Sequence, residues 1–225
     1  GYLIGGANVD LEADFWAKEN GLDFRIDWLK GQKTGFFIDQ RDNRSLLEHY
    51  AHGKEVLNMF CYTGGFSVYA LRGHAKLVHS VDVSQKAIDL VRSNVAHNFG
   101  ENAPHEAYAE EAFEFMAKNK NKYDLIILDP PAFAKHRDAV KNALRGYQRL
   151  NAKGIESIRP GGILFTFSCS QAIDKDMFRL AVFSAAAQVG RRVRILHQLH
   201  QPADHPINIY HPEGEYLKGL VLEVE

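Results

Sequence analysis

The sequence has few cysteines and no long apolar run. Only two of its 225 residues are cysteine, which excludes a disulfide framework and a four-ligand zinc site, so we expect no bound metal. No stretch of eighteen or more apolar residues occurs, and no basic-then-apolar leader precedes the rest, so we expect neither a membrane span nor a signal peptide. These absences predict a cytoplasmic protein whose two thiols stay reduced.

An excess of positive charge is also lacking. The 27 Lys and Arg residues are matched by 28 Asp and Glu residues, which leaves a net charge of -1. Any binding of nucleic acid must therefore depend on local basic patches. The chain begins with glycine rather than methionine, which is consistent with an excised fragment that lacks an upstream domain or with a trimmed tag.

Apolar runs typical of β-strands alternate with amphipathic segments from residue 55 onward. In chain order, these runs are EVLNMF, KLVHSVDV, HEAYA, YDLIILD, GGILFTFS, VRILHQL and EYLKGLVLEV. Such alternation indicates right-handed βαβ units around a mostly parallel sheet. No helical segment separates the last two runs, which predicts an antiparallel pair at the sheet edge.

A small hairpin is predicted before this pattern. Residues 22–28 (LDFRIDW) and 34–39 (TGFFID) both alternate apolar and polar side chains, and residues 30–32 are suited to a turn between them. We therefore divide the chain into an N-terminal hairpin or cap, residues 1–44, and one α/β domain, residues 45–225.

Polar residues and glycines that follow the strands are the candidates for a ligand site, because ligands bind beyond the carboxyl ends of the strands in open α/β sheets. Residues 61–67 (CYTGGFS) form a glycine turn before a helix, but they lack the GxGxxG pattern of dinucleotide enzymes, which disfavours NAD. Asp82 follows Gly64 by eighteen residues, near the spacing at which a carboxylate accepts from ribose hydroxyls. Taken singly, the glycines are consistent with a plain turn and Asp82 with a helix cap, a role that Ser84 can also fill.

Residues 129–133 (DPPAF) follow the fourth run. Two prolines fix the backbone and remove two N–H donors, so the chain turns rigidly out of the sheet and its carbonyl groups remain available as acceptors. Asp129 is expected to point into the same crevice as the glycine turn.

Longer strings narrow the interpretation. They are GQKTGFFIDQRDNR at residues 31–44, NMFCYTGGFSVYA at 58–70, DPPAFAK at 129–135 and TFSCS at 166–170. Together they resemble the bacterial large-subunit rRNA cytosine-5 methyltransferase family, whose full-length members carry an N-terminal PUA RNA-binding domain. The resemblance, over residues 20 to 225, implies a Rossmann-like class I methyltransferase fold. Its seven-stranded, mostly parallel sheet has an antiparallel C-terminal edge, the cofactor is S-adenosylmethionine, and the partner is RNA, specifically 23S rRNA.

The resemblance also implies a set of cofactor residues. They are Gln40, Arg41, Asn58, Phe60, Tyr62, Thr63, Gly64, Gly65, Phe66, Asp82, Val83, Glu111, Ala112, Asp129 and Pro130. Gln40 and Arg41 belong to a segment that closes over the cofactor in this family. Glu111 departs from the aspartate that relatives carry; it keeps an acceptor for the adenine amino group, but on a longer side chain.

The two cysteines have different interpretations. Cys169 ends the strand that starts after residues 159–162 (RPGG), so it is either a buried strand end or a nucleophile on the ligand edge. A thiolate that attacks carbon six of cytosine makes carbon five nucleophilic, and the resemblance assigns this role to Cys169, with Asp129 sharing the proton transfers. Cys61 lies inside the glycine turn, where we expect it to pack.

RNA contacts are predicted near DPPAF. Basic residues recur every four positions on the following helix, which indicates either a solvated face or a surface that tracks phosphates. The predicted substrate residues are Pro131, Phe133, Lys135, Arg137, Lys141, Arg145 and His205, and the basic series continues to Arg149 and Lys153. Phe133 or Tyr147 is a candidate to stack on a flipped base, whereas Asp204 and His205 can equally bond within their own turn.

Two other functions remain open. The same cofactor site can serve methylation of a nitrogen, because DPP-type motifs also occur in amino-methylating enzymes. A third possibility, from a different class, is a non-catalytic module that binds RNA or the cofactor.

Overall fold

A seven-stranded sheet and a two-stranded hairpin form the β-structure of this computed structural model, which describes residues 15–28, 31, 35–134, 139–211 and 214–225. The strands are β1 (Phe15–Glu19), β2 (Leu22–Ile26), β3 (Glu55–Met59), β4 (Leu77–Asp82), β5 (His105–Ala109), β6 (Leu125–Leu128), β7 (Gly162–Ser168), β8 (Val193–His200) and β9 (Lys218–Val224). The α-helices are α1 (Arg41–Tyr50), α2 (Gly65–Arg72), α3 (Gln85–Phe99), α4 (Ala112–Lys118), α5 (Val140–Ser157) and α6 (Lys175–Val189), and a 3₁₀ turn spans Ile38–Gln40.

The strand order of the large sheet is β5-β4-β3-β6-β7-β9-β8. Strands β3 to β7 pair in parallel, whereas β9 pairs antiparallel with both β7 and β8. Strands β4 and β5 are added on one side of β3, and β6 and β7 are added on its other side. The strand order therefore reverses between β3 and β6, and the loops after these two strands are neighbours at this switch point. The predicted parallel sheet with an antiparallel edge is confirmed.

Helices cover both faces of the sheet, which explains why its central strands read as continuous apolar runs. Along β3, Val56 packs in the core on the side of α1, α2 and α3, whereas Leu57 and Met59 pack on the side of α4, α5 and α6. All four residues of β6 are buried. Within the described ranges, none of the helices combines the length and the apolar character needed to cross a bilayer.

The N-terminal hairpin is confirmed, but the predicted pairing within it was wrong. Strand β2 pairs antiparallel with β1, and the turn between them is Asn20–Gly21, where both residues have positive φ (50° and 84°). This is the Asn-Gly signature of a tight hairpin turn. Residues 35–37 have no strand assignment and lead into the 3₁₀ turn, while most of the predicted turn at residues 30–32 lies outside the described residues.

The hairpin docks on α3 through two asparagine side chains. Asn94 Oδ1 accepts from the backbone N–H of Arg25 at 2.7 Å, and Asn98 Oδ1 accepts from that of Asp23 at 2.9 Å. Helix α1 runs across residue 44, and the division of the chain at that residue stays a prediction.

Candidate active site

The loop between β3 and α2 has a strained backbone. Phe60 and Tyr62 have positive φ values of 57° and 47°, which are uncommon for residues other than glycine. Main-chain hydrogen bonds hold this shape, from Cys61 N to Val81 O at 3.1 Å and from Gly64 N to Cys61 O at 2.8 Å. Strain that the surroundings hold in place is typical of binding sites.

Two glycines allow close packing behind this loop. Gly64 has φ +79°, and a Cβ on it would lie 2.9 Å from Val91 Cγ1. A Cβ on Gly65 would lie 3.1 Å from Arg44 Cδ. The guanidinium of Arg44 is fixed in turn by the buried carboxylate of Glu19, whose two oxygens lie 2.7 and 2.8 Å from Nη2.

Asp82 braces the same loop from the end of β4. Its Oδ2 accepts from the backbone N–H of Tyr62 at 3.1 Å, and its Oδ1 accepts from that of Ser84 at 3.0 Å. The N-cap of α3 is Ser84, whose hydroxyl accepts from the backbone N–H of Ala87 at 3.3 Å. The carboxylate of Asp82 is therefore not the helix cap.

A cavity of about 300 Å³ opens at the carboxyl ends of β3, β4, β6 and β7. The predicted site residues that line it are Gln40, Asn58, Phe60, Tyr62, Thr63, Gly65, Phe66, Asp82, Val83, Glu111, Ala112, Asp129, Pro130, Pro131 and Cys169. Arg41 and Gly64, also predicted to bind the cofactor, are not part of the lining. Arg41 instead pairs with Asp204 at 2.5 Å, and Gly64 lies behind the loop against Val91.

Charge in the cavity is predominantly negative. The carboxylates that line it are Asp39, Asp82, Glu110, Glu111 and Asp129. The lining residues that the structure describes include one basic side chain, Arg44, whose charge is matched by Glu19. Such a lining favours a cationic ligand.

Buried acceptors without a hydrogen-bond partner occur in the lining. Asn58 is 1% exposed; its Nδ2 donates to Ser67 Oγ at 2.8 Å, while its Oδ1 has no partner. Asp39 accepts from the Tyr216 hydroxyl at 2.7 Å through Oδ2, while its Oδ1 has no partner. Because a buried acceptor without a donor is costly, these two atoms indicate where a ligand donates hydrogen bonds.

Glu111 has a local role in addition to its place in the lining. Its Oε2 accepts from the backbone N–H groups of Phe113 and Glu114, at 2.8 and 3.1 Å, and so caps α4. Val83 lies nearby in the lining with 74% of its surface exposed, an apolar surface suited to contact a flat ring.

Cys169 follows β7 directly and faces the cavity beside residues 129–131. Its thiol donates to the carbonyl oxygen of Pro130, with Sγ 4.0 Å from that atom. Helix α6 begins at Lys175, and its N-cap is Asp174, so Cys169 lies ahead of the first turn of this helix. Cys169 is therefore at the ligand edge and only partly buried, which disfavours a purely structural strand end.

Cys61 differs from Cys169 in its environment. It is 6% exposed, and burial, together with the charge of Asp82, raises the pKa of its thiol well above the ordinary value. A thiol that stays protonated is a poor nucleophile, so the surroundings of Cys61 fit the predicted packing role.

Phe133 stacks inward from the DPPAF segment. Its ring lies 4.6 Å from that of Tyr147, and the absence of a side chain at Gly146 makes room for it, because a Cβ there would lie 2.9 Å from Phe133 Cδ2. Tyr147 itself is fully buried and hydrogen-bonded to Ser170 at 2.9 Å. The suggestion that Tyr147 stacks on a base was therefore wrong.

The basic series on α5 divides into two groups. Lys141 and Arg145 are exposed. Arg149 lies over the ring of Phe113 at 5.7 Å, and Lys153 pairs with Glu156 at 3.2 Å. The predicted contacts Lys135 and Arg137 lie outside the described residues.

His205 makes local contacts, as the alternative interpretation allowed. Its Nδ1 lies 3.1 Å from Asp204 Oδ1, and its backbone N–H donates to Pro202 O at 2.9 Å. The salt bridge between Asp204 and Arg41 joins this turn to the start of α1.

Comparison with known proteins identifies the family. A family model described as S-adenosylmethionine-dependent methyltransferase matches residues 8–214. The chain belongs to this family. It is 46% identical over 211 residues to ribosomal RNA large subunit methyltransferase I of Alteromonas mediterranea, and 43% identical over 211 residues to the protein of that name from Shewanella denitrificans. Each alignment covers 92% of this chain and 53% of the relative, so the chain spans about half the length of these curated relatives.

Among solved structures, the methyltransferase SMU.776 in complex with SAH superposes with a TM-score of 0.86. The two sequences are 27% identical, and the superposition covers 98% of this chain and 58% of that one. The Rossmann-like class I methyltransferase fold and the use of S-adenosylmethionine are thus both confirmed.

The cavity suits this cofactor in volume and in chemistry. Ligand pockets start at about 300 Å³, and the acidic lining matches a ligand that carries a sulfonium and an ammonium group. Asp82, Val83, Asn58 and Asp39 all line this cavity, and the last two carry the buried acceptor atoms that have no partner.

Sequence reasoning missed several residues of the lining. They are Phe36, Phe37, Asp39, Arg44, Met59, Val81, Glu110 and Leu217, together with Cys61, which was assigned to packing alone. Asp39 and Arg44 lie within the quoted string at residues 31–44, so that string was a usable signal. Leu217 carried none, because it reads as part of an apolar run.

Proposed function

We propose that this chain is the catalytic part of an RNA methyltransferase that transfers a methyl group to carbon five of a cytosine in large-subunit rRNA. The observation that carries the proposal is the position of Cys169 on the cavity wall, 4.0 Å from the Pro130 carbonyl and in the same lining as Asp129. An RNA substrate is supported by the curated relatives, which are named as ribosomal RNA large subunit methyltransferases. The other predicted cofactor residues that line the cavity keep their assigned roles as part of this proposal, whereas Arg41 pairs with Asp204 and does not line it.

The chemistry requires a nucleophile because carbon five of cytosine is unreactive in the aromatic ring. The thiolate of Cys169 bonds to carbon six, and the electron pair of the C5–C6 double bond shifts into the ring as an enamine. When bound, S-adenosylmethionine would supply the methyl group from its sulfonium to carbon five, and the electron pair of the broken sulfur–carbon bond would stay on sulfur in S-adenosylhomocysteine. Without the thiolate, carbon five has no electron pair to offer.

Asp129 is suited to the second half of the reaction. A base must remove the proton from carbon five, after which the C–H electron pair restores the double bond and expels the thiolate from carbon six. Gln40 donates from Nε2 to Asp129 Oδ2 at 3.1 Å, which orients the carboxylate that we assign to this step. Asp129 thus shares the proton transfers, and Cys169 makes and breaks the covalent bond.

The test uses RNA with a large-subunit rRNA sequence that has not been methylated. In this RNA, 5-fluorocytidine replaces cytidine. Fluorine at carbon five leaves no proton to remove, so the enzyme stays bonded to the RNA once the methyl group has been transferred. We expect a cofactor-dependent covalent complex that resists denaturing electrophoresis. It should be lost in Cys169→Ala and kept in Cys61→Ala, which serves as the matched thiol control.

Two outcomes would contradict the proposal. Full activity of Cys169→Ala, with a methylated nitrogen in the nucleoside digest, would favour the amino-methylating alternative. No binding of S-adenosylmethionine in a calorimetric titration would leave only a non-catalytic module.

A further inference from the structure

Lys218 is a buried lysine that lacks an ion-pair partner in the described structure. It is 6% exposed at the start of β9, and within the part of the chain that the structure describes no carboxylate oxygen lies within 4.0 Å of its Nζ. Its two hydrogen bonds go to neutral carbonyl oxygens, those of Ser170 at 2.7 Å and Tyr216 at 2.9 Å. Burying an ammonium group costs free energy, and an apolar side chain of similar size would fill the same space without that cost. Packing alone therefore does not explain a lysine at this position.

The residue that Lys218 binds is the neighbour of Cys169. Ser170 is fully buried and is held on every polar atom. Its Oγ bonds with the Ala134 N–H at 3.2 Å and the Tyr147 hydroxyl at 2.9 Å, and its carbonyl accepts from Lys218. The position of Cys169 is therefore fixed by the contacts of the residue that follows it.

The antiparallel register brings Lys218 to this place. Lys218 lies opposite Ser168, the last residue of β7, so β9 begins where the loop of Cys169 leaves the sheet. Burial lowers the pKa of Lys218 to about 8, and the charge of Cys169 acts in the opposite direction. The interaction is mutual, since a thiolate that favours the ammonium is itself favoured by it.

Among the residues that the structure describes, the tyrosines and carboxylates near this thiol do not favour its anion. Burial raises the pKa of Tyr147 and of Tyr216, which keeps both phenols neutral. Asp129 after β6 lines the cavity together with Cys169, whereas Asp174 at the start of α6 and Glu215 before β9 act on Lys218, whose pKa their charges raise. The charge of Asp129 disfavours a thiolate in the same lining, and within the described residues the buried ammonium of Lys218 acts against that effect.

We propose that Lys218 is the positioning residue of Cys169, fixing the main chain beside it through Ser170 and favouring its thiolate. The proposal rests on the proposed function, in which that thiolate attacks the base. It adds a residue that contacts neither the RNA nor the cofactor and acts through the nucleophile alone.

The test is the pH dependence of alkylation at Cys169, measured with iodoacetamide between pH 5 and pH 10 and read at the Cys169 peptide by mass spectrometry. In the unmodified chain we expect the midpoint below 8.5, the ordinary cysteine value. Lys218→Met should raise the midpoint by about one pH unit and slow alkylation at pH 7 roughly tenfold. Lys218→Arg, which keeps the charge, should restore the low midpoint.

Lys175→Met is the matched control, because Lys175 is exposed and pairs with Glu215 at 3.7 Å on the same side of the molecule. An unchanged midpoint in Lys218→Met would reduce Lys218 to a structural role. If that variant does not fold, a midpoint at or above 8.5 in the unmodified chain overturns the proposal by itself. Alkylation needs neither RNA nor cofactor. A failure of the proposed function in the covalent-complex experiment is therefore distinguishable from a failure of the Lys218 proposal in the alkylation experiment.

Discussion

Gln40 and Asp129, 89 residues apart in the chain, are joined by a hydrogen bond of 3.1 Å from Nε2 to Oδ2. The amide of Gln40 is oriented by Asn43, whose Nδ2 donates to Gln40 Oε1 at 2.7 Å. Because the oxygen of Gln40 is occupied, its nitrogen faces the carboxylate. The segment before α1 thus determines the position of the group that we assign to proton transfer.

Replacing Gln40 with Glu should slow methyl transfer. A second carboxylate next to Asp129 repels its negative charge and favours its protonated form, which is unable to act as a base. We expect the initial rate of methyl transfer to fall at least about tenfold, since general acid–base groups contribute roughly 10²- to 10⁴-fold. The control is Gln148→Glu, an equal change of charge on α5 at a side chain that bonds only with Gln188 among the described contacts. Equal initial rates of methyl transfer in Gln40→Glu and Gln148→Glu would contradict a role for Gln40 in proton transfer.

Replacing Asp82 with Asn should weaken cofactor binding. The change removes the charge that we assign to the ribose hydroxyls and also weakens the brace on Tyr62. Hydrogen bonds to charged groups are worth about 1.5–3 kcal/mol, so the Kd of S-adenosylhomocysteine in calorimetry should rise by about 10- to 100-fold. Asp89→Asn, on the exposed side of α3, should leave the Kd unchanged. A Kd within twofold of the original in Asp82→Asn would contradict the assignment.

Alanine at Gly64 should destabilise the fold more than alanine at Gly161. Both glycines have positive φ, +79° and +76°, and the strain of an L residue there is about 1–2 kcal/mol. At Gly161 nothing lies within 4 Å of the added Cβ, whereas at Gly64 it meets Val91 at 2.9 Å, which adds about 1–3 kcal/mol. The free energy of unfolding in urea gives both values. Val91→Ala in the Gly64→Ala background should recover part of the loss, and an additive double mutant would refute the clash.

Acid should destabilise the protein in part through His105. Burial lowers the pKa of His105 to about 4, and its Nε2 lies 2.8 Å from Ser80 Oγ. The unfolded chain, with a histidine pKa near 6.5, binds more protons between pH 6.5 and pH 4, so the stabilisation present above this window is lost as the pH falls through it. The loss should be on the order of 2 kcal/mol in urea unfolding. It should be smaller in His105→Gln and unchanged in His52→Gln, which alters an exposed ring.

RNA affinity should depend on Lys141 and Arg145. Both are exposed on α5, whereas Arg149 and Lys153 are engaged by Phe113 and Glu156. Each lost phosphate contact lowers the slope of log K against log salt by about 0.7–0.9, so the double alanine variant should reduce it by roughly 1.5.

The control for that experiment is the pair Lys54→Ala and Lys76→Ala, which removes the same charge at the amino ends of β3 and β4. A salt slope that falls equally in both double variants would leave α5 without a specific role.

The fold was largely predictable because strand and helix periods alternate so regularly after residue 55. The pairing in the hairpin was not, because β1 (FWAKE) is mostly exposed and shows no alternation. Its signal was the Asn20–Gly21 turn, which specifies a hairpin by backbone conformation rather than by hydrophobic pattern.

The site was predictable where its residues follow strands. Asn58, Asp82, Asp129 and Cys169 all belong to the ends of parallel strands, which a sheet necessarily brings to one edge. Lys218 was not predictable, because it begins an antiparallel strand and its function depends on register. One polar residue in an apolar run gives no indication of which carbonyl its ammonium will contact.

Strand β9, inserted between β7 and β8, also has a consequence for synthesis of the protein. It supplies Lys218, and Leu217 just before it closes part of the cavity, so the surroundings of Cys169 depend on a segment made about fifty residues after the cysteine. A ribosome that has translated Cys169 has therefore not yet exposed the residues that hold it in place. If Lys218 acts on Cys169 as we propose, the nascent chain carries a thiol whose surroundings become complete only when β9 pairs with β7.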